Sequence, residues 1–177
     1  ALLLSNLDAN KSMLAAGNLS VENGAHIVTQ QFLDSFLILS GSGITFGLVV
    51  AMLFAAKSKQ YKALGKVAAF PAIFNVNEPV VFGFPIVMNP VMFLPFIIVP
   101  ILAAIIVYTS IAIGFMHPFS GVTLPWSTPA IISGFMVGGW QGAFVQVLVL
   151  ATSTVVYFPF FKFQDNLAYN NELQAEK

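Results

Sequence analysis

The sequence has no cysteine and no arginine, and only 8% of its 177 residues are charged. Without cysteine there is no disulfide scaffold, zinc ribbon or thiol nucleophile. Seven lysines against seven acidic residues leave no basic field, which excludes nucleic acid as a partner. His26 and His117 stand apart and the carboxylates are scattered, so no metal site is expected. Walker-type and dinucleotide loops are missing too, so no cofactor is expected and no ATPase lies within this chain. A soluble domain carries about 25% charged and about 45–50% apolar residues. Here 58% are hydrophobic, with eighteen Phe and a mean hydropathy of +0.86. This is the composition of an all-α integral membrane protein whose surroundings are a lipid bilayer.

The few charges are unevenly placed. Between Val67 and Phe161 lie 95 residues whose only formal charge is Glu78. One helical crossing takes about 20 residues, so several fit. The chain opens Ala1-Leu2-Leu3-Leu4, without an initiator Met or a basic region, and reads as a cut end. Residues 1–34, which include Asn6, Asp8, Asn10, Lys11 and Glu22, are expected to form a surface loop after that end. Spans are expected at about 35–56, 92–115 and 141–161, and a polar C-terminal tail over 163–177. Gly41, Gly43 and Gly47 in the first span point to close helix packing through small residues. Lys57, Lys59, Lys62 and Lys66 follow that span at once and mark its cytoplasmic side. Docking of a cytoplasmic partner is the second reading of the run. Lys162 asks for the same side, so an even number of crossings separates Lys66 from Lys162.

Two segments, about 70–90 and 117–139, are broken by proline and glycine. All ten prolines lie at or beyond Pro71, six of them from Pro71 to Pro100. An interior proline costs a helix about 3 kcal/mol, and neither segment offers 20 clean helical residues. Both are expected to be re-entrant hairpins, one from the cytoplasm and one from outside, with tips meeting near the midplane. Non-helical backbone at that depth survives only inside protein or against a watery cavity. Paired broken segments are the sequence mark of a transporter's binding site, so residues 35–162 read as a transport domain.

Glu78 is the first candidate for chemistry. A carboxylate at a helix centre costs about 2.5–3.5 kcal/mol on insertion scales, so it faces protein or water. In Asn75-Val76-Asn77-Glu78-Pro79, an asparagine cap and a proline at the first position start a half-helix. Glu78 either favours the positive end of that half-helix or accepts hydrogen bonds from a polar substrate and takes a hydroxyl proton. Asn77 and, more weakly, Asn75 add amide groups. His117 is a proton relay or a backbone partner at the membrane edge. Trp126, in Leu124-Pro125-Trp126-Ser127-Thr128-Pro129, offers its indole to a sugar ring or sits in the interfacial belt. Trp140, directly before the last span, reads as a belt residue.

The run from Phe74 to Gly83, continued by Pro85-Ile86-Val87-Met88-Asn89-Pro90, resembles the signature of a known family. It is similar to the membrane (IIC) component of lactose/cellobiose-type sugar phosphotransferase systems, and the similarity covers nearly the whole chain. The resemblance implies a permease of the bacterial cell membrane that binds a disaccharide such as cellobiose, chitobiose or lactose and carries it inward. A separate phosphorylated cytoplasmic IIB component then phosphorylates the sugar, commonly at the 6-hydroxyl, so this chain is not expected to hold a complete active site. Carried over, the family's glutamate is Glu78, with Asn77 beside it, and its hairpin tryptophan is Trp126, which favours stacking. The family's protein is about twice as long. Its homodimer-forming N-terminal bundle and a substrate-site histidine precede the part present here. A proton- or sodium-coupled secondary transporter using Glu78 is the competing reading.

Overall fold

The computed structural model describes residues 1–84, 86, 88–121 and 123–175. Pro85, Val87, Val122, Glu176 and Lys177 lie outside the described residues. The regular elements among the described residues are helices, with no strand: α1 (Leu2–Ala15), a short α2 (Gln30–Phe32), α3 (Phe46–Ala55), α4 (Lys59–Ile73), α5 (Glu78–Gly83), α6 (Pro90–Ala112) and α7 (Ile132–Ala175). α7 packs along α3 and α6, and α3 packs on α4. Asn89 starts α6, its side-chain oxygen accepting from the Val91 N–H at 3.1 Å with proline at the first helical positions. α6 packs on α7, buries Val99, Ala103 and Val107 and leaves Ile97, Ile101 and Ile105 exposed. A helix apolar on every face belongs in lipid or a core, and both α6 and α7 are long and apolar enough to cross a membrane.

The first expected span is interrupted. A π-helical turn, Leu33–Leu37, is followed by backbone with positive φ at Ser40, Gly41, Gly43 and Ile44 before α3 begins at Phe46. Side chains satisfy the carbonyls that this break frees. The Asn77 amide donates to Ser42 O (2.7 Å), the Tyr157 hydroxyl to Gly43 O (2.8 Å), and the Ser153 hydroxyl to Ile44 O. Thr45 Oγ1 donates to Ser40 O at 3.2 Å. Leaving such a group buried without a partner costs about 1–3 kcal/mol, so the break persists because α7 and the Asn77 turn close around it. The packing expected of the small residues holds at Gly47, where a Cβ would strike the Ser153 backbone.

Both broken segments reverse the chain. Tyr61 stacks on Phe84 with ring centroids 4.4 Å apart, and Leu64 lies against Gly83. α4 and α5 are therefore the antiparallel arms of a hairpin with its tip at 74–77. The second segment runs without helix over 117–121 and 123–125, turns at 126–128 and returns through the first turns of α7. It ends at a kink, Gly138–Gly139, where Gly139 takes φ +64°, ψ −157°, a region essentially confined to glycine. There Gly138 comes back beside Met116. Gln146 accepts from the Ile131 and Gly134 N–H groups and donates to Ser35 O and Ser133 Oγ. A straight helix would separate residues 131 and 146 by about 22 Å. The arms on either side of the kink thus lie side by side.

Two other expectations are corrected. Much of the expected N-terminal loop is helix α1, held by Asn10, whose amide donates to His26 O (2.8 Å) and Phe119 O (2.9 Å) while its oxygen accepts from His26 N–H (2.8 Å). A polar residue read as solvated is buried as a three-way brace. The expected polar tail continues α7 to Ala175, because its acidic residues bond the start of α4.

Candidate functional site

Asn75 sits at the tip of the α4–α5 hairpin with φ +62°, a left-handed conformation that asparagine tolerates better than most residues. Its side-chain oxygen accepts from the Ser40 N–H at 2.7 Å. Its amide nitrogen donates to Trp126 O (2.7 Å) and Thr128 O (3.0 Å). Three pieces of non-helical backbone therefore meet at one amide: the 38–45 break, the first hairpin tip and the second. The second tip is stiffened locally, since both the N–H and the hydroxyl of Thr128 donate to Pro125 O, at 3.0 and 2.7 Å. Both ends of Asn75 are committed to backbone partners, so it braces the three segments.

Asn77 stands at the cap position of α5, as the sequence led us to expect, but its side chain does not cap the helix. It turns to Ser42 O and packs over Gly41, where a Cβ would strike its amide. Glu78 then occupies the first turn of α5 with its side chain exposed. Among the described residues nothing hydrogen-bonds its carboxylate. Trp126 is 68% exposed while its backbone is held by Asn75. A fixed backbone with a free aromatic face presents a stacking surface at little entropic cost. The result is an acid and an indole on two hairpin tips that one asparagine ties together.

The other expected residues lie elsewhere. His117 is exposed and lines two cavities, of about 350 and 590 Å³, with residues such as Leu19 and Pro118. Neither includes Asn75, Asn77, Glu78 or Trp126. Lys57, Lys59 and Lys62 line a cavity of about 410 Å³ with Tyr169 and Glu172 at the far end of α4 from the tip; Lys66 is outside that lining. Four ligands for a metal are not brought together among the described residues.

Sequence reasoning missed the acidic residues of the α7 extension. Asp165, fully buried, accepts from the N–H groups of Lys57 (2.8 Å) and Ser58 (3.1 Å) and from the Ser58 hydroxyl (2.8 Å). Glu172 accepts from the N–H groups of Lys59 (3.0 Å) and Gln60 (3.1 Å). Both place negative charge at the positive end of the α4 dipole. Lys162 donates to Ala55 O at the last turn of α3 (3.2 Å), the matching arrangement at a negative end. The available signal was the spacing Lys162, Asp165, Glu172, one helical face read at three and seven residues.

A family model described as "Phosphotransferase system, EIIC" matches residues 1–100. The chain is 44% identical over 172 residues to the lichenan permease IIC component of Bacillus subtilis (strain 168), covering 96% of this chain and 37% of that protein. It is 34% identical over 178 residues to the lactose-specific EIICB component of Lacticaseibacillus casei, covering 99% of this chain and 30% of that protein. A crystal structure of the transporter that forms the IIC component of the N,N'-diacetylchitobiose-specific phosphotransferase system superposes with a TM-score of 0.88 at 38% identity, covering 96% of this chain and 39% of the other. The chain thus spans less than two fifths of each of these proteins.

Proposed function

The chain belongs to the EIIC family of phosphotransferase systems, and we propose that it is the sugar-binding and translocating part of a permease that imports a disaccharide while a IIB component phosphorylates it. The observation that carries this reading is the Asn75 junction, which sets Glu78 and Trp126 on adjoining tips. The indole packs on one face of a sugar ring, and the Glu78 carboxylate accepts a hydrogen bond from a sugar hydroxyl. Phosphoryl transfer makes a new bond between that oxygen and phosphorus as the bond to the donor group on IIB breaks, and Glu78 takes up or orients the departing proton. Asn77, the residue before Glu78, is held by its bond to Ser42 O. The phosphorylated product is an anion, which makes entry one-way.

In the bacterial cell membrane the chain crosses several times, and the two hairpins re-enter from opposite faces. Their reversals at 74–77 and at 126–128, with Gly138 returned to Met116, support that arrangement. The Lys57–Lys66 run then faces the cytoplasm, where IIB works. The fusion of IIC with IIB in the name of the lactose-specific relative supports the partnership. The test is uptake by cells expressing the complete permease and its partners, supplied in turn with radiolabelled cellobiose, N,N'-diacetylchitobiose and lactose. Phosphorylated sugar inside the cell is the expected product. Unmodified sugar accumulating inside would contradict the proposal and indicate a secondary transporter.

A further inference from the structure

We propose that Asp165 is a positioning residue for the sugar site, acting from the far end of α4; the proposal rests on the sugar-site reading above. Asp165 is buried and accepts three hydrogen bonds from Lys57 and Ser58, just before α4. Ser58 passes the constraint on, since its hydroxyl also accepts from the Tyr61 N–H at 3.3 Å. Tyr61 stacks on Phe84, which follows α5, and Phe161, one turn before Asp165, meets both rings at centroid distances of 6.0 and 6.4 Å. The base of the α4–α5 hairpin is therefore gripped by one segment of α7. Midway, Gly65 lets α4 lie directly against Met52 of α3. The tip carrying Asn75, Asn77 and Glu78 is the other end of the same lever, about 22 Å along a 15-residue helix.

A helix is stiff along its axis, so a loosened base is felt at the tip. Asp165→Asn keeps the size of the side chain but replaces one accepting oxygen with a donor. At least one of the three N–H and O–H groups then faces another donor. Nothing about Glu78 or Trp126 is altered directly.

The experiment uses the complete permease, purified, and reads sugar affinity together with backbone hydrogen exchange. Whichever of cellobiose, N,N'-diacetylchitobiose and lactose the wild type binds serves as the probe. Asp165→Asn is expected to lower affinity about tenfold and to speed exchange both at 57–60 and at 74–81. Faster exchange confined to 57–60, with unchanged affinity, would show a purely local structural role and overturn the proposal. Should Asp165→Asn fail to fold, Ser58→Ala removes only the relaying hydroxyl and is expected to weaken binding about threefold; unchanged affinity in that folded variant would equally overturn it. If the wild type binds none of the sugars, the sugar-site reading itself falls, while the exchange pattern still decides whether the tip follows the clamp.

Discussion

A left-handed backbone costs a residue other than glycine about 1–2 kcal/mol, and Asn75 holds φ +62° because three hydrogen bonds repay it. The side chain, rather than local propensity, decides the conformation. Asn75→Ala keeps the strain and orphans the Ser40 N–H, so the variant should lose at least about 2 kcal/mol of stability, measurable by denaturation of the complete permease. Trp126 behaves differently because its ring is largely exposed. Trp126→Ala should leave the melting temperature unchanged and weaken sugar binding by about 1–3 kcal/mol, on the scale of aromatic stacking against flat ligands. Titration of the variant with the transported sugar checks it, and an unchanged affinity would return Trp126 to an interfacial role. The sequence pointed to Glu78, Asn77 and Trp126 through a charge and an indole placed where apolar residues are cheaper. It did not reveal the partners of Asn75, because an amide that bonds protein reads the same as one that awaits a ligand.

Hydropathy pointed to a span at about 92–115, where α6 runs from Pro90 to Ala112, and to an unbroken one at about 35–56, where α3 begins only at Phe46. The stretch from Ser35 to Ala56 is apolar enough for a continuous span, yet Ser40 to Ile44 leaves the helix. The compensation lies more than a hundred residues away in Ser153 and Tyr157, beyond any local pattern. Proline and glycine, by contrast, act on the backbone itself, and in both broken segments the chain turns back, at 74–77 and at 126–128. The ends were misread for a common reason: Asn10, Asp165 and Glu172 look like residues for water, but each satisfies main-chain groups of a distant segment. Gly47 tests the packing reading. Its Cβ position is filled by the Ser153 backbone, which cannot swing aside as a side chain would. Gly47→Val should therefore cost at least the 1–3 kcal/mol typical of overpacking, with reduced yield of folded permease as the readout.

For the whole molecule, α6 and α7 form a lipid-compatible frame, and the two hairpins hang from it with their tips joined at Asn75. The similarity to IIC components shows the family, and the geometry adds how one asparagine ties the two tips together. Only one formal charge lies between Val67 and Phe161, and it opens α5, three residues after Asn75. The role proposed for this charge is to serve the transferred sugar. The most direct measurement expresses the complete permease with its phosphotransferase partners and compares wild type with Glu78→Gln for internal sugar phosphate at equal membrane abundance. Phosphorylated sugar is expected in the wild type and none above background in the variant. Wild-type levels of sugar phosphate in Glu78→Gln would contradict it and leave Glu78 as no more than the first residue of a short helix.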